Sequence, residues 1–276
     1  MNNKPTTTEI NNFLLEDIGS GDITANIISD HTKARATVIT RERTVLCGQA
    51  WFDAIFNALN PEITMHWLVN EGELVEKNTI LCKLSGSAKD LLTGERTALN
   101  LLQTLSYTAT IAREYADAVS GTQCKVLDTR KTIPGLRNAQ KYAVSCGGCV
   151  NHRIGLYDGI LIKENHILAA GSIALAIASA RQLSDVPVEI EVESLEEYNQ
   201  ALAAKPDRIM LDNFSTTDMK TAVSLNYNDV ELEASGDITL ENIREIAETG
   251  VDFISIGALT KHIKAIDLSM RITMEN

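Results

Sequence analysis

The chain is 276 residues long, with a formal net charge of −12, 44% apolar residues and 22% charged ones. That composition suits one large globular domain, or a small domain joined to a larger one, and excludes a disordered or fibrous chain. The acidity argues against a nucleic-acid binder, which is basic over a whole face, and no apolar run reaches the ~20 residues that a membrane span needs. The start MNNKPTTTEINN carries no hydrophobic signal core, and the five cysteines are odd in number and irregularly spaced. Both features lead us to expect a cytoplasmic protein with reduced thiols.

In chain order, residues 9–18 (EINNFLLEDI) carry apolar side chains at helical spacing until GSGD interrupts them. From Lys33 to Leu84 the text is strand-like (ATVIT, TVLCG, TILCKL) around one amphipathic helix at WFDAIFNAL. The stretch WLVNEGELVEKNTILCKLSG resembles the shape of a biotinyl or lipoyl module but lacks its lysine flanked by methionines, so it is read as scaffold. Residues 87–120 form one long helical pattern, with Gly94 as a candidate break and Gly121 as its end. From Cys124 onward the runs CKVLD, GILIK, VEIEV, RIMLD, VELEAS and DFISIG alternate with helical segments, the pattern of a parallel sheet. Asp128, Lys163, Glu191, Asp212, Ser235 and Gly257 follow or end these runs, as residues do at the C-terminal rim of a barrel. Six runs are fewer than eight, so an incomplete α/β barrel is expected, and no strand is placed within residues 130–155.

Positive charge gathers in one stretch. Between Lys125 and Lys163 seven basic residues face only Asp128 and Asp158, which points to a small, strongly anionic ligand. Arg130, Lys131, His152, Arg153 and Lys163 form a cationic and donor set suited to a dicarboxylate or a pyrophosphate. Glu191 and Asp212 end neighbouring strands and suit Mg²⁺ or a developing cation. Glu189 shares the parity of Glu191 but lies farther from the strand end. Ser235-Gly236 and Gly257-Ala258 follow the last two strands, where backbone N–H groups cradle phosphates. Arg137 and Lys141, one helical turn apart, are read as a solvated face, and Cys146-Gly-Gly-Cys149 as a loop rather than a metal or redox pair.

The run from Asp128 to Arg137 (DTRKTIPGLR), with Gly147-Gly148, Asn151-His152-Arg153 and Ile162-Lys163-Glu164-Asn165-His166, strongly resembles quinolinate phosphoribosyltransferase. The resemblance continues through VEIEVES, MLDNF, LEASG and ISIGALT, and back to GSGDIT and GERTALN. It implies an N-terminal α/β sandwich (residues 1–120) joined to an incomplete six- or seven-stranded α/β barrel (121–267), with the tail 268–276 packing back on the first domain. It also implies a homodimer in which Arg96 reaches into the neighbour's site. Arg96, Arg130, His152, Arg153 and Lys163 would then surround the two carboxylates of quinolinate. Lys131 would lie between that acid and phosphoribosyl pyrophosphate. Glu191 and Asp212 match the acids that hold ribose hydroxyls and Mg²⁺, and Ser235, Gly236 and Gly257 match the 5′-phosphate loop. The implied reaction yields nicotinate mononucleotide, carbon dioxide and pyrophosphate in NAD biosynthesis. Lys261 and His262 share the place where some members have one histidine, which leaves open which of them faces phosphate. Rival readings are a phosphoribosyltransferase for another acceptor, a lyase using Lys163 as a Schiff-base amine, and a non-catalytic anion sensor.

Overall fold

The computed structural model describes residues 3–227 and 230–275. These divide into two compact units. One holds the chain up to Arg113, Thr132–Gly148 and the chain from Leu259; the other holds Glu114–Lys131 and Cys149–Ala258. The boundary expected at 120/121 thus lies inside the second unit's first segment. In chain order the elements are α1 (Thr7–Ile18), β1 (Lys33–Thr40), β2 (Thr44–Val45), α2 (Gln49–Leu59), β3 (Thr64–Trp67), β4 (Leu74–Val75), β5 (Ile80–Ser87) and α3 (Ala88–Ala118). Then come β6 (Lys125–Leu127), α4 (Arg137–Cys146), β7 (Ile160–Ile162), α5 (Glu164–Ala170), α6 (Ile173–Leu183), β8 (Val188–Val192), α7 (Leu195–Ala204) and β9 (Arg208–Asp212). The last are α8 (Thr216–Leu225), β10 (Glu231–Ser235), α9 (Ile243–Ala247), β11 (Phe253–Ser255), α10 (Ala258–Lys261) and β12 (Leu268–Met274).

In the first unit, β12-β1-β5-β3 form an antiparallel sheet, with the C-terminal strand paired from Ala34↔Met274 to Thr40↔Leu268. A reciprocal Thr6–Glu9 capping box starts α1. By contrast α2 begins behind Gly48, whose φ of 112° and missing side chain leave no local cap. Glu71 supplies one from a distance by accepting the N–H groups of Gly48 (2.7 Å) and Gln49 (3.1 Å). Trp51, Phe52, Ile55 and Phe56 of α2 are buried with Leu91, Leu99, Leu102 and Leu105 of α3, each worth about 1.5–3 kcal/mol of apolar burial.

Two expectations are corrected here. Gly94 does not break α3, which runs unbroken for 31 residues. A Cβ there would lie 2.8 Å from both Leu59 Cδ1 and Phe56 Cε1, so the glycine lets α2 and α3 approach closely. Lys141 is fully buried rather than solvated, while Arg137 is half-buried and donates from Nε to Thr132 Oγ1 at 3.1 Å. Helical spacing shows that two residues share a face, but packing decides whether that face is wet.

In the second unit six parallel strands lie in the order β6-β11-β10-β9-β8-β7. The helices α6, α7 and α8 each start at a serine (Ser172, Ser194, Ser215) whose side chain accepts an N–H three residues on. The stretch where no strand was expected holds α4 and, beyond it, an isolated parallel bridge from Val150 to Leu127 at the free edge of β6.

Gly147, just after α4, has no room for a side chain. A Cβ would overlap Ala109 O and the Ala112 methyl and lie 2.9 Å from Arg113 N, all on α3. Gly147→Ala is therefore expected to cost about 1–3 kcal/mol by overpacking against backbone, read as a lower urea midpoint at unchanged m-value. An unchanged midpoint would contradict this packing.

Candidate functional site

Arg130, Lys131, His152, Arg153, Lys163, Glu191, Asp212, Ser235, Gly236 and Gly257 all belong to the second unit, whereas Arg96 is an exposed residue of α3 in the segment up to Arg113. Lys163 follows β7 and opens α5, and its Nζ pairs with Glu191 Oε2 on the neighbouring β8. Asp212 ends β9, where its Oδ2 accepts from Asn213 Nδ2 at 2.9 Å. Asn213 adopts φ 57°, and its N–H donates to Ser235 O at the end of β10 (2.8 Å). The next residue, Gly236, has φ 99°, and a Cβ on it would overlap Asn213 Oδ1, so both conformation and space demand glycine. At the end of β11 a Cβ on Gly257 would lie 3.1 Å from Lys131 Cδ and 3.8 Å from its Nζ. The Lys131 side chain therefore lies across the Gly257 turn. Anionic, cationic and glycine-walled strand ends thus occur in sequence along one edge of the sheet.

The turn after Val150 is pinned by Asp128, a wholly buried acid that follows β6. Its Oδ1 accepts the N–H of His152 (2.9 Å) and its Oδ2 accepts from Asn151 Nδ2 (2.7 Å). The residue read from sequence as a rim group is therefore a structural anchor. Beyond it, Arg153 donates from Nη1 to Gly159 O (3.0 Å), while Asp158 accepts the N–H groups of Ile154 and Gly155 (2.8 and 2.9 Å). Burial and the like charge of Arg130 both pull the Arg153 guanidinium below its ordinary pKa.

The His152 ring faces two buried carboxylates of the sheet. Its Nε2 lies 2.8 Å from Glu189 Oε2 and 3.5 Å from Glu233 Oε2, and its Nδ1 accepts the N–H of Arg153 at 2.8 Å. Arg208 Nη1 braces Glu233 at 3.1 Å, and the Arg208 guanidinium stacks 4.0 Å from the Phe253 ring centroid. Burial and neighbouring Glu233 push Glu189 up to about 7. Burial works to lower His152, but the two carboxylates raise it to about 9. Nδ1 is thus the acceptor of the Arg153 N–H, while Nε2 faces the two carboxylates. Reading β8, β9 and β10 for acids near their C-terminal ends set Glu189 aside in favour of Glu191 and passed over Arg208 and Glu233. The signal was available: each shares the period-two face of Glu191, Asp212 or Ser235.

Glu191 and Asp212 end adjacent strands, but neither belongs to a cluster of three ligand-type side chains; among the described residues such clusters form at His152–Glu189–Glu233 and Cys47–Glu71–Cys146. Two strand-end carboxylates fit a hydrated Mg²⁺ that brings its own phosphate oxygens. Lys163 has a 43% exposed side chain that is paired with Glu191, unlike the apolar burial that turns a lysine into a Schiff-base nucleophile.

The five cysteines are free, and Cys146 clusters with Cys47 and Glu71 rather than with Cys149 across the glycine pair. A hydrogen bond with Cys47 lowers the Cys146 thiol, while burial pushes Cys82 and Cys124 up to about 12 and Cys47 well above its ordinary value. Iodoacetamide at pH 7.5 should therefore alkylate Cys146 before Cys47, Cys82 or Cys124. Peptide mass spectrometry showing any of those three modified first would contradict this ranking.

Residues 22–106 match the family model "Quinolinate phosphoribosyl transferase, N-terminal domain", and residues 108–271 match the C-terminal domain model of the same family. The chain is 41% identical over 269 residues to a Bacillus subtilis protein called probable nicotinate-nucleotide pyrophosphorylase [carboxylating], covering 97% of this chain and 93% of that one. It is 43% identical over 265 residues to a Synechocystis protein of the same name, covering 94% and 90%. A solved structure of the nicotinate-nucleotide pyrophosphorylase from Francisella tularensis superposes with a TM-score of 0.94 at 49% identity, over 98% of each chain. With both domain models matched in order and the fold shared end to end, this chain belongs to the quinolinate phosphoribosyl transferase family.

Proposed function

We propose that the chain transfers the phosphoribosyl group of phosphoribosyl pyrophosphate to quinolinate with decarboxylation, giving nicotinate mononucleotide, carbon dioxide and pyrophosphate in NAD biosynthesis. The observation that carries this reading is the placement of Lys131 across the Gly257 turn, on the same sheet edge as the Lys163–Glu191 pair and the Asp212–Asn213–Gly236 corner. A cation beside a glycine-walled turn suits a leaving pyrophosphate and a 5′-phosphate, with Ser235, Gly236 and Gly257 lending backbone N–H groups. Carboxylates at the next strand ends suit ribose hydroxyls and the positive charge that develops at the anomeric carbon.

In the mechanism that follows, Arg130, Arg153 and Lys163 hold the two carboxylates and aim the pyridine nitrogen at the anomeric carbon. The nitrogen–carbon bond forms as the carbon–oxygen bond to pyrophosphate breaks. Glu191 and Asp212 stabilise the oxocarbenium-like sugar, and Lys131 neutralises the departing oxygens. Mg²⁺, held by Glu191 and Asp212 and carried largely with phosphoribosyl pyrophosphate, supplies further charge neutralisation when bound. The quaternised ring nitrogen then accepts the electron pair of the bond to the C2 carboxylate. Carbon dioxide leaves, and C2 takes up one proton.

The finer architecture belongs to the same proposal. The six parallel strands form an incomplete α/β barrel, which the Val150–Leu127 bridge supports as a seventh stave, and the N-terminal segment forms an α/β sandwich. The enzyme is a cytoplasmic homodimer in which the exposed Arg96 serves the other chain's quinolinate site.

Pyrophosphate release should require quinolinate, phosphoribosyl pyrophosphate and Mg²⁺ together. Lys131→Ala should lower kcat by on the order of 100-fold or more with an unchanged melting temperature; near-normal turnover would contradict the assignment. Mixing inactive Arg96→Ala and Lys131→Ala chains under subunit exchange should restore about a quarter of wild-type activity, because half of the dimers are mixed and each mixed dimer holds one intact site. No recovery despite confirmed exchange would place Arg96 in its own chain's site.

A further inference from the structure

The thiols of Cys47 and Cys146 take no part in the proposed reaction, yet the fold brings them together from distant segments of the chain. Both segments are seated on α3. Ser106 Oγ accepts the N–H of Cys47 (3.0 Å) and donates to its carbonyl (3.1 Å), which fixes the Cys47 backbone from both sides. One and two turns further along the helix, Ala109 and Arg113 hold the residue that follows Cys146. Gly147 lies so close to Ala109 O that a Cβ would not fit, and its carbonyl accepts from Arg113 Nε at 3.1 Å. Ser106, Ala109 and Arg113 share one helical face, so α3 is a template that presents the two thiols side by side. The two sulfurs and a carboxylate oxygen of Glu71 all lie within 4.8 Å of one another.

We propose that Cys47 and Cys146 are a reversible oxidation pair, which a peroxide closes into a disulfide joining the start of α2 to the end of α4. Cys146 is half-buried and within reach of an oxidant, whereas Cys47 is wholly buried. Their contacts set the order of events. A hydrogen bond from Cys47 pulls the Cys146 thiol below its ordinary value, and the Tyr142 hydroxyl adds to that pull against burial. Burial, that same hydrogen bond and the charge of Glu71 keep Cys47 protonated. The Cys146 thiolate therefore attacks a peroxide oxygen first. The O–O bond breaks, hydroxide leaves and takes up a proton, and Cys146 becomes a sulfenic acid, oxidised by two electrons. Cys47 then attacks that sulfur, the S–O bond breaks, and the departing hydroxide takes the Cys47 proton. In sum, two thiols and one hydrogen peroxide give one disulfide and two waters, and a thiol reductant reverses the bond.

A metal ion fits the same cluster less well. Both Glu71 oxygens are engaged by the N–H groups of Gly48 and Gln49 (2.7 and 3.1 Å), which leaves two sulfurs where a structural zinc takes four ligands. Cys149, beyond the glycine pair, is buried and lies outside the cluster. In a reducing compartment disulfides are transient, which suits a pair that opens and closes rather than a permanent crosslink.

The test is graded hydrogen peroxide on the folded, reduced chain at pH 7.5, followed by iodoacetamide in denaturant and peptide mass spectrometry without reductant. A peptide pair linked through Cys47 and Cys146 should appear, lighter by two hydrogens than its parts and abolished by dithiothreitol, while Cys82, Cys124 and Cys149 stay alkylated. Alkylation of Cys146 should fall about tenfold or more against the untreated chain. Cys47→Ser, shown to be folded by its thermal melt, should stop at the first step, with Cys146 trapped by dimedone as the sulfenic acid. Cys146→Ser should leave Cys47 reduced at doses that close the wild-type pair; undiminished oxidation of Cys47 there would contradict the order of attack. A wild-type chain that stays reduced, links Cys146 to Cys149, or carries Cys146 on to sulfinic acid without joining Cys47 would overturn the proposal.

Discussion

Charge balance inside the parallel sheet is the constraint on which the rest depends. Burying one isolated ion is prohibitive, and here two acids, Glu189 and Glu233, are buried side by side, while Arg130 and Arg153 are half-buried and repel each other. The acids are tolerated because His152 and Arg208 are threaded between them. Around Arg153, Glu189 and Asp158 oppose the pull of burial and of Arg130. Asp158 also accepts the backbone N–H groups of Ile154 and Gly155, and Asp128 accepts from Asn151 and the His152 N–H. The one basic stretch of a chain that is acidic overall, seven bases against two acids between Lys125 and Lys163, suits a doubly anionic ligand.

Parallel βα topology explains how such a surplus can be held in register. Each strand presents one residue of fixed parity at its end, and neighbouring strands are locked by ladder pairs such as Glu191↔Met210 and Ser235↔Asp212. Moving any strand by one residue would turn its charged end to the other face. The glycines at 236 and 257 add a second requirement, since the close approach of Asn213 and Lys131 leaves no comfortable space for a Cβ. The interior charges and the rim chemistry are therefore carried by the same strands.

Much of this was legible in the residue order. The runs VEIEV and RIMLD coincide with β8 and β9, and the long helix expected at 87–120 is α3 at 88–118. Periodicity reports such elements well because many residues repeat the same signal. It fails where one contact decides. The pairing at Val150 is a single bridge, too short to leave a pattern. Lys141 is buried and Gly94 lies inside a helix because of what packs against them from distant parts of the chain. The role of Asp128 as an anchor depends on a turn 23 residues away, and Arg96 reads as surface because it is exposed on this chain.

The central claim is that the cations read two negative charges, not one. Equilibrium binding of quinolinate and of nicotinate, which lacks the C2 carboxylate, measures this most directly. A charge-assisted hydrogen bond is worth about 1.5–3 kcal/mol, so quinolinate should bind on the order of 10–100-fold more tightly, with the difference shrinking as salt is added. Equal affinity for the two acids, insensitive to ionic strength, would contradict the account.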